Sequence, residues 1–186
     1  MNRRSNTASS RSASTLVALL LMVWSLSGLA QSDGDYTLNA GDTIRIYVYG
    51  EPDLTFDRLL IGQRGRIPYP FLGELQVEGL TVNAVQQQIT DGLKPDYLVD
   101  PRVSVSITQY RPFFVNGEVK NPGAVDFQPG LTLRKAITLA GGFTARANKK
   151  EMLVIADNAA SDEGRRVDLD YRIRPGDIIT VTDTFF

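Results

Sequence analysis

The sequence predicts an α+β protein, on three observations. Two segments alternate apolar and polar residues with a period of two, Ile44/Ile46/Val48 and Val103/Val105/Ile107, the mark of half-buried strands. Two others, opening at Thr81 and Thr132, repeat apolar residues at helical spacing. The helices are few and short and stand between runs of strands, so the helices pack on sheets instead of alternating regularly with strands.

Tyr36 to Tyr49 reads as a turn followed by a strand. Gly41 can take the positive φ of a tight turn, Asp42 can accept from nearby backbone N–H groups, and Ile44, Ile46 and Val48 then alternate with Arg45, Tyr47 and Tyr49. Short strands follow at Leu59 to Ile61 and Arg66 to Tyr69, where glycines, Pro68 and Pro70 suit edges or bends. Thr81 is placed to cap the first helix, with Leu80 and Val85 as a hydrophobic staple and Val82, Val85, Ile89 and Leu93 on one face; Gly92 and Pro95 end it. The Val103 strand should lie beside the Ile44 strand and bury this helix.

Arg111-Pro112 opens a second unit. Phe113 to Val115 and Gly117 to Val119 read as strand, Asn121-Pro122-Gly123 as a turn, and Ala124 to Phe127 as the hairpin partner. Thr132 caps a helix through Ala140, with Leu133, Ala136, Ile137 and Ala140 on one face, and Gly141-Gly142 ends it. Met152 to Ala156, Arg166 to Leu169 and Ile178 to Thr182 complete the strands. A hairpin, a helix and further strands is the order of a small β-grasp-like unit.

Composition narrows the chemistry. Of 186 residues none is cysteine or histidine, which excludes disulfides, thiolate or imidazole metal sites, cysteine nucleophiles and a Ser-His-Asp triad. No Gly-x4-Gly-Lys-Ser/Thr loop occurs, and no cofactor is expected. Residues 1–30 have the layout of a secretory signal: Arg3, Arg4 and Arg11, an apolar run from Leu16 to Trp24, and small residues Gly28 and Ala30 for cleavage between Ala30 and Gln31. An uncleaved membrane anchor is the competing reading of the same run. All 21 acidic residues follow Ala30, so the exported part is mildly acidic without a basic run, and no nucleic-acid partner is expected. An exported chain without disulfides suits a bacterial periplasm.

One echo stands out: Leu38-Asn-Ala-Gly-Asp-Thr-Ile is answered by Ile173-Arg-Pro-Gly-Asp-Ile-Ile. A repeated binding loop centred on Gly41-Asp42 and Gly176-Asp177 is one reading, and one turn chemistry used twice is the plainer and preferred one. Tyr47, Tyr49, Tyr69 and Tyr110 are candidates for stacking on sugar rings or for subunit contacts. Gly117, Pro122, Gly123, Gly141 and Gly142 are candidates for a ligand rim, or for turn and helix-end geometry alone.

Tyr36-x-Leu-x-x-Gly-Asp-x-Ile-x-Ile-x-Val, Gly62-x-x-Gly-x-Ile-Pro-x-Pro-x-x-Gly73 and the Gly79-Leu-Thr helix start together resemble the polysaccharide export domain of bacterial outer-membrane polysaccharide export proteins. Val115-x-Gly-Glu-Val-x-x-Pro-Gly123 and Leu139-Ala-Gly-Gly-Phe143 resemble the soluble-ligand-binding β-grasp domain that follows it in that family. The resemblance implies a signal peptide at 1–30, a mixed-sheet export domain at 31–110 and a β-grasp-like domain at 111–186. It further implies a periplasmic, outer-membrane-associated accessory that forms a homo-oligomeric ring, carries capsular polysaccharide or exopolysaccharide, and works with an inner-membrane polysaccharide co-polymerase. Glutamine at 31 in place of a lipidated cysteine, and an end at Phe185-Phe186 in place of a pore helix, suggest a form that relies on a separate outer-membrane barrel.

Two other classes stay open. The Tyr-x-Leu-x-x-Gly-Asp-Thr opening is similar to that of LysM peptidoglycan-binding modules, in which a helix follows it; here an alternating strand is expected. A histidine-free glycoside hydrolase would need a carboxylate pair, for which Glu74 with Glu78 or Glu118 with Asp126 are the candidates, although nothing in their spacing favours it.

Overall fold

In β1 (Thr43–Val48) the alternation does what it predicts, with Ile44, Ile46 and Val48 buried and Arg45 and Tyr47 facing solvent. The computed structural model describes residues 36–184 other than 158, 160 and 162. The signal-like segment with Ala30 and Gln31, and Phe185-Phe186, lie outside the described residues. β2 (Phe56–Leu60) and β5 (Val103–Gln109) flank β1, both antiparallel to it, in the order β2-β1-β5. A single 3-10 turn at Pro52–Leu54 links β1 to β2. A strand follows the Gly-Asp turn directly, as in the α+β expectation and unlike a LysM module.

β3 (Arg66–Tyr69) pairs with β4 (Gly73–Gln76) as a separate antiparallel hairpin. β4 had no sequence signal because only Leu75 of its four residues is buried. Helix α1 (Val82–Leu93) starts where the Thr81 side chain accepts from the Ala84 N–H at 3.2 Å, satisfying one of the orphan donors of the first turn. Its buried stripe of Val85, Ile89 and Leu93 packs against β5 and joins Leu38, Ile44 and Ile67 in a first core.

The second sheet has the order β7-β6-β10-β8-β9, built from β6 (Phe113–Gly117), β7 (Gly123–Val125), β8 (Ala147–Ile155), β9 (Arg165–Val167) and β10 (Ile178–Asp183). The first lobe's pairings are all antiparallel, and among the described strands the one parallel pairing joins β10 to β6. The expected strand through Val119 stops at Gly117, and Val119 instead makes a single bridge to Phe143.

Helix α2 (Leu133–Leu139) covers this sheet, and its Leu133, Ala136 and Ile137 meet Phe113, Val115 and Ile179 in a second core. Thr132 stands at the N-cap, but its side chain makes no capping bond, contrary to expectation. The chain returning at 169–171 does the work: the Tyr171 and Leu169 carbonyls accept from the Leu133 and Arg134 N–H groups at 2.9 and 3.0 Å. At the other end Gly141 N–H donates to Thr138 O at 3.0 Å and Gly142 N–H to Ile137 O at 2.8 Å, the paired closure that two left-handed glycines permit. From Tyr36 onward both cores belong to one compact unit.

Candidate functional site

The two Gly-Asp turns have one construction, and it reaches further back than the echo read from sequence. Asp42 is fully buried, and its Oδ2 accepts from the Tyr36 hydroxyl at 2.6 Å and the Asn39 N–H at 2.9 Å. Asp177 is as buried, and its Oδ2 accepts from the Tyr171 hydroxyl at 3.2 Å and the Arg174 N–H at 2.9 Å. The repeated unit is therefore Tyr-x-Leu/Ile-x-x-Gly-Asp-x-Ile, with the tyrosine six residues before the aspartate. The echo read from Leu38 and Ile173 onward omitted both tyrosines, although their identical offset was visible. This is turn chemistry used twice, each turn aiming a strand, β1 or β10, into its sheet.

The two aspartates differ in what compensates their charge. Arg111 encloses Asp42: its N–H donates to Oδ1 at 2.9 Å, and its Nη1 donates to Oδ2 at 3.1 Å and to the Tyr36 hydroxyl at 2.7 Å. Arg111 Nη2 reaches Asp157 Oδ2 at 2.9 Å, and Asn39 Nδ2 reaches the same oxygen at 3.3 Å. Asp157 lies against Gly176, and Gly176 N–H donates to Pro112 O at 3.0 Å. Arg111-Pro112 thus ties the first lobe's turn to the second's. Burial and the Asp42 carboxylate both push the Tyr36 hydroxyl far up, so it stays a donor at any physiological pH.

Burial also raises the Asp177 carboxyl, against the lowering effect of the Arg174 N–H and the Tyr171 hydroxyl. A raised carboxyl binds its proton more tightly in the folded chain, so its contribution to stability grows as pH falls through the folded pKa. Wild type is therefore expected to gain stability relative to Asp177→Asn as pH is lowered from about 7 to about 4. Urea midpoints of both proteins across that range check it, and a pH-independent difference would refute it.

The tyrosines separate into three situations. Tyr47 and Tyr49 are exposed on the outer side of β1, with the Arg45 guanidinium 5.6 Å from the Tyr47 ring centroid. Tyr110 is half-buried, edge-on between Tyr36 at 5.1 Å and Phe127 at 5.3 Å, so its ring joins the lobes. Tyr69 does not meet the expectation of a contact residue. It is 3% exposed in the first core, where its hydroxyl donates to Leu54 O at 2.9 Å, because the alternation of β3 turns it inward with Ile67. Sequence reading missed an exposed pair, Phe71 stacked on Tyr97 at 4.5 Å. Phe71 sits at φ 64°, in a turn whose residue type gave no sign of it.

The two glycine motifs lie side by side. Asn121 N–H donates to Ala140 O and Lys120 N–H to Gly142 O, which sets the Gly117–Pro122–Gly123 hairpin beside Gly141-Gly142. Of the carboxylates considered for hydrolysis, Glu118 accepts from the Thr144 hydroxyl, while Glu74, Glu78 and Asp126 are exposed. Among the described residues no three Asp or Glu side chains are grouped to hold a metal ion, and no helix is long and apolar enough to cross a membrane.

The order of the lobes, a Gly-Asp turn and helix-backed sheet before a glycine-closed α+β unit, coincides with two family models. The polysaccharide biosynthesis/export protein model matches residues 30–108, and the SLBB domain model matches residues 112–167. The chain belongs to the polysaccharide export family. This family member is 32% identical over 183 residues to the exopolysaccharide production protein ExoF of Rhizobium meliloti strain 1021, covering 89% of this chain and 43% of the relative. It is 30% identical over 133 residues to the EPS I polysaccharide export outer membrane protein EpsA of Ralstonia nicotianae, covering 58% of this chain and 34% of that one. It is 32% identical over 111 residues to the polysialic acid transport protein KpsD of Escherichia coli, covering 58% and 20%. The chain thus spans less than half the length of each of these relatives.

Proposed function

We propose that this chain is a non-catalytic periplasmic component of a conduit that passes exopolysaccharide or capsular polysaccharide across the bacterial envelope, associated with the outer membrane. The observation that carries the reading is the succession of export and SLBB domains, with likeness to ExoF across 89% of the chain. The division at 31–110 and 111–186 is supported by two hydrophobic cores on either side of Arg111.

In this reading copies of the chain close into a homo-oligomeric ring and engage an inner-membrane co-polymerase, which supplies the directed delivery of polymer. Two outward sheet faces support such contacts. On the second sheet, Phe114, Ile178 and Ile155 stand in one row across β6, β10 and β8, and the first two are exposed. On the first, Tyr47 and Tyr49 present amphipathic rings suited to a subunit contact or to a passing sugar. The glycine rim contributes shape, with the backbone of Gly117 and Gly123 exposed at the surface.

Deleting the gene is expected to remove polysaccharide from the cell surface while its synthesis continues, so polymer is retained inside the envelope; the restored gene reverses both. Unchanged surface polysaccharide would overturn the reading. Light scattering of the purified protein tests the assembly separately, with a discrete multi-subunit mass expected.

A further inference from the structure

The chain carries a formal net charge of −1, yet one concavity of the second lobe, of about 950 Å³ and open to solvent, is lined by Arg134, Lys149, Lys150, Arg165 and Arg166. Among the described residues only two carboxylates, Asp168 and Asp170, line it with them. Arg134 spends its charge on Asp170 at 3.2 Å, and Arg166 is paired with Glu151. Lys149 and Arg165 lie over rings instead, 5.9 Å from the Phe143 centroid and 5.5 Å from that of Tyr171. The concavity therefore keeps an excess of positive charge in a chain that is otherwise acidic.

We propose that this groove binds a carboxylate-bearing segment of the polysaccharide, so that the exported polymer is an acidic one. The inference rests on the export reading and names the chemistry of its cargo. Three features favour an acidic glycan. The cations are distributed over α2, β8 and β9 and do not converge on one point, which suits a string of spaced charges better than a single phosphate. The surface beneath them includes Val167, Leu169 and the Tyr171 ring, which fit the C–H faces of sugars. The site is concave, whereas a lipid surface is met by a flat or convex patch. Each cation is solvent-facing, so individual contacts are weak and binding is cumulative and salt-sensitive. That is the behaviour required of a wall over which polymer must keep moving.

The test uses the purified chain with oligogalacturonate, which carries a carboxylate on every sugar, and a neutral maltodextrin of matched length. Galacturonate is expected to bind, to weaken steeply with added salt, and to exceed maltodextrin by about tenfold or more. The variant Lys149→Gln/Lys150→Gln/Arg165→Gln is expected to bind galacturonate about tenfold more weakly at an unchanged thermal midpoint. Asp168→Asn/Asp170→Asn, which removes the competing carboxylates, is expected to tighten binding, an outcome that misfolding cannot produce. Equal binding of the neutral glucan, or no response to either variant, overturns the proposal. So does a groove that binds phosphatidylglycerol vesicles and ignores galacturonate. These outcomes leave the export reading untouched, because that reading stands or falls on the surface polysaccharide of the deletion strain.

Discussion

Asp42→Ala is expected to cost about 3–5 kcal/mol of unfolding free energy, read from urea denaturation at neutral pH. The carboxylate is fully buried and accepts from the Tyr36 hydroxyl, the Asn39 and Arg111 N–H groups and Arg111 Nη1. Alanine leaves those donors facing a void, and it leaves the Arg111 guanidinium, 12% exposed, with only Asp157 to balance it. Against a total stability of about 5–15 kcal/mol this is a large share. The exposed pair of Arg45 and Asp57 supplies the contrast: Asp57→Ala is expected to change stability by no more than about 0.5 kcal/mol. If Asp42→Ala costs as little as Asp57→Ala, the clamp at Arg111 is not holding the two turns together.

Gly117→Ala is expected to cost about 2–4 kcal/mol, for two reasons that a second glycine separates. Gly117 has φ 80°, and a Cβ there would collide with the Val181 carbonyl oxygen, the same atom that accepts from the Glu118 N–H. Gly130 has φ 77° but open space around it, so Gly130→Ala carries the conformational penalty alone, about 1 kcal/mol. The excess at Gly117 measures the closeness of β6 to β10. Equal losses at the two positions would show that the strands can separate without cost.

Local chemistry was legible where it was self-contained. The period-two runs of β1 and β5, the Thr81 cap and the double-glycine end of α2 all depend on residues within a few positions of each other, and all are found where the sequence puts them. Thr132 shows the limit: its residue type signals a cap, but the N–H groups it would serve are taken by carbonyls more than thirty residues later. Tyr69 shows another. The alternation of β3 puts it on one face with Ile67, but a four-residue strand containing Pro68 does not by itself show that this face is buried, which the first core decides.

For the candidate site, the turn residues and the exposed Tyr47 and Tyr49 could be named in advance. The Arg111 clamp could not, since it joins residues 69 and 46 positions apart. The cationic groove was invisible for a similar reason: its lysines and arginines fall in separate short segments, none of them a basic run.

The sheet order of the second lobe has a consequence for how the chain becomes a protein. β10, the last of its strands in sequence, lies between β6 and β8, so the pairs β7-β6 and β9-β8 have no bond to each other until Ile178–Asp183 arrives. A polypeptide emerging amino end first can complete the β2-β1-β5 sheet early, but it keeps the later lobe as two unjoined hairpins until Ile178–Asp183 has emerged. A chain made available in that order closes its second sheet only after β10 has followed all four of the other strands.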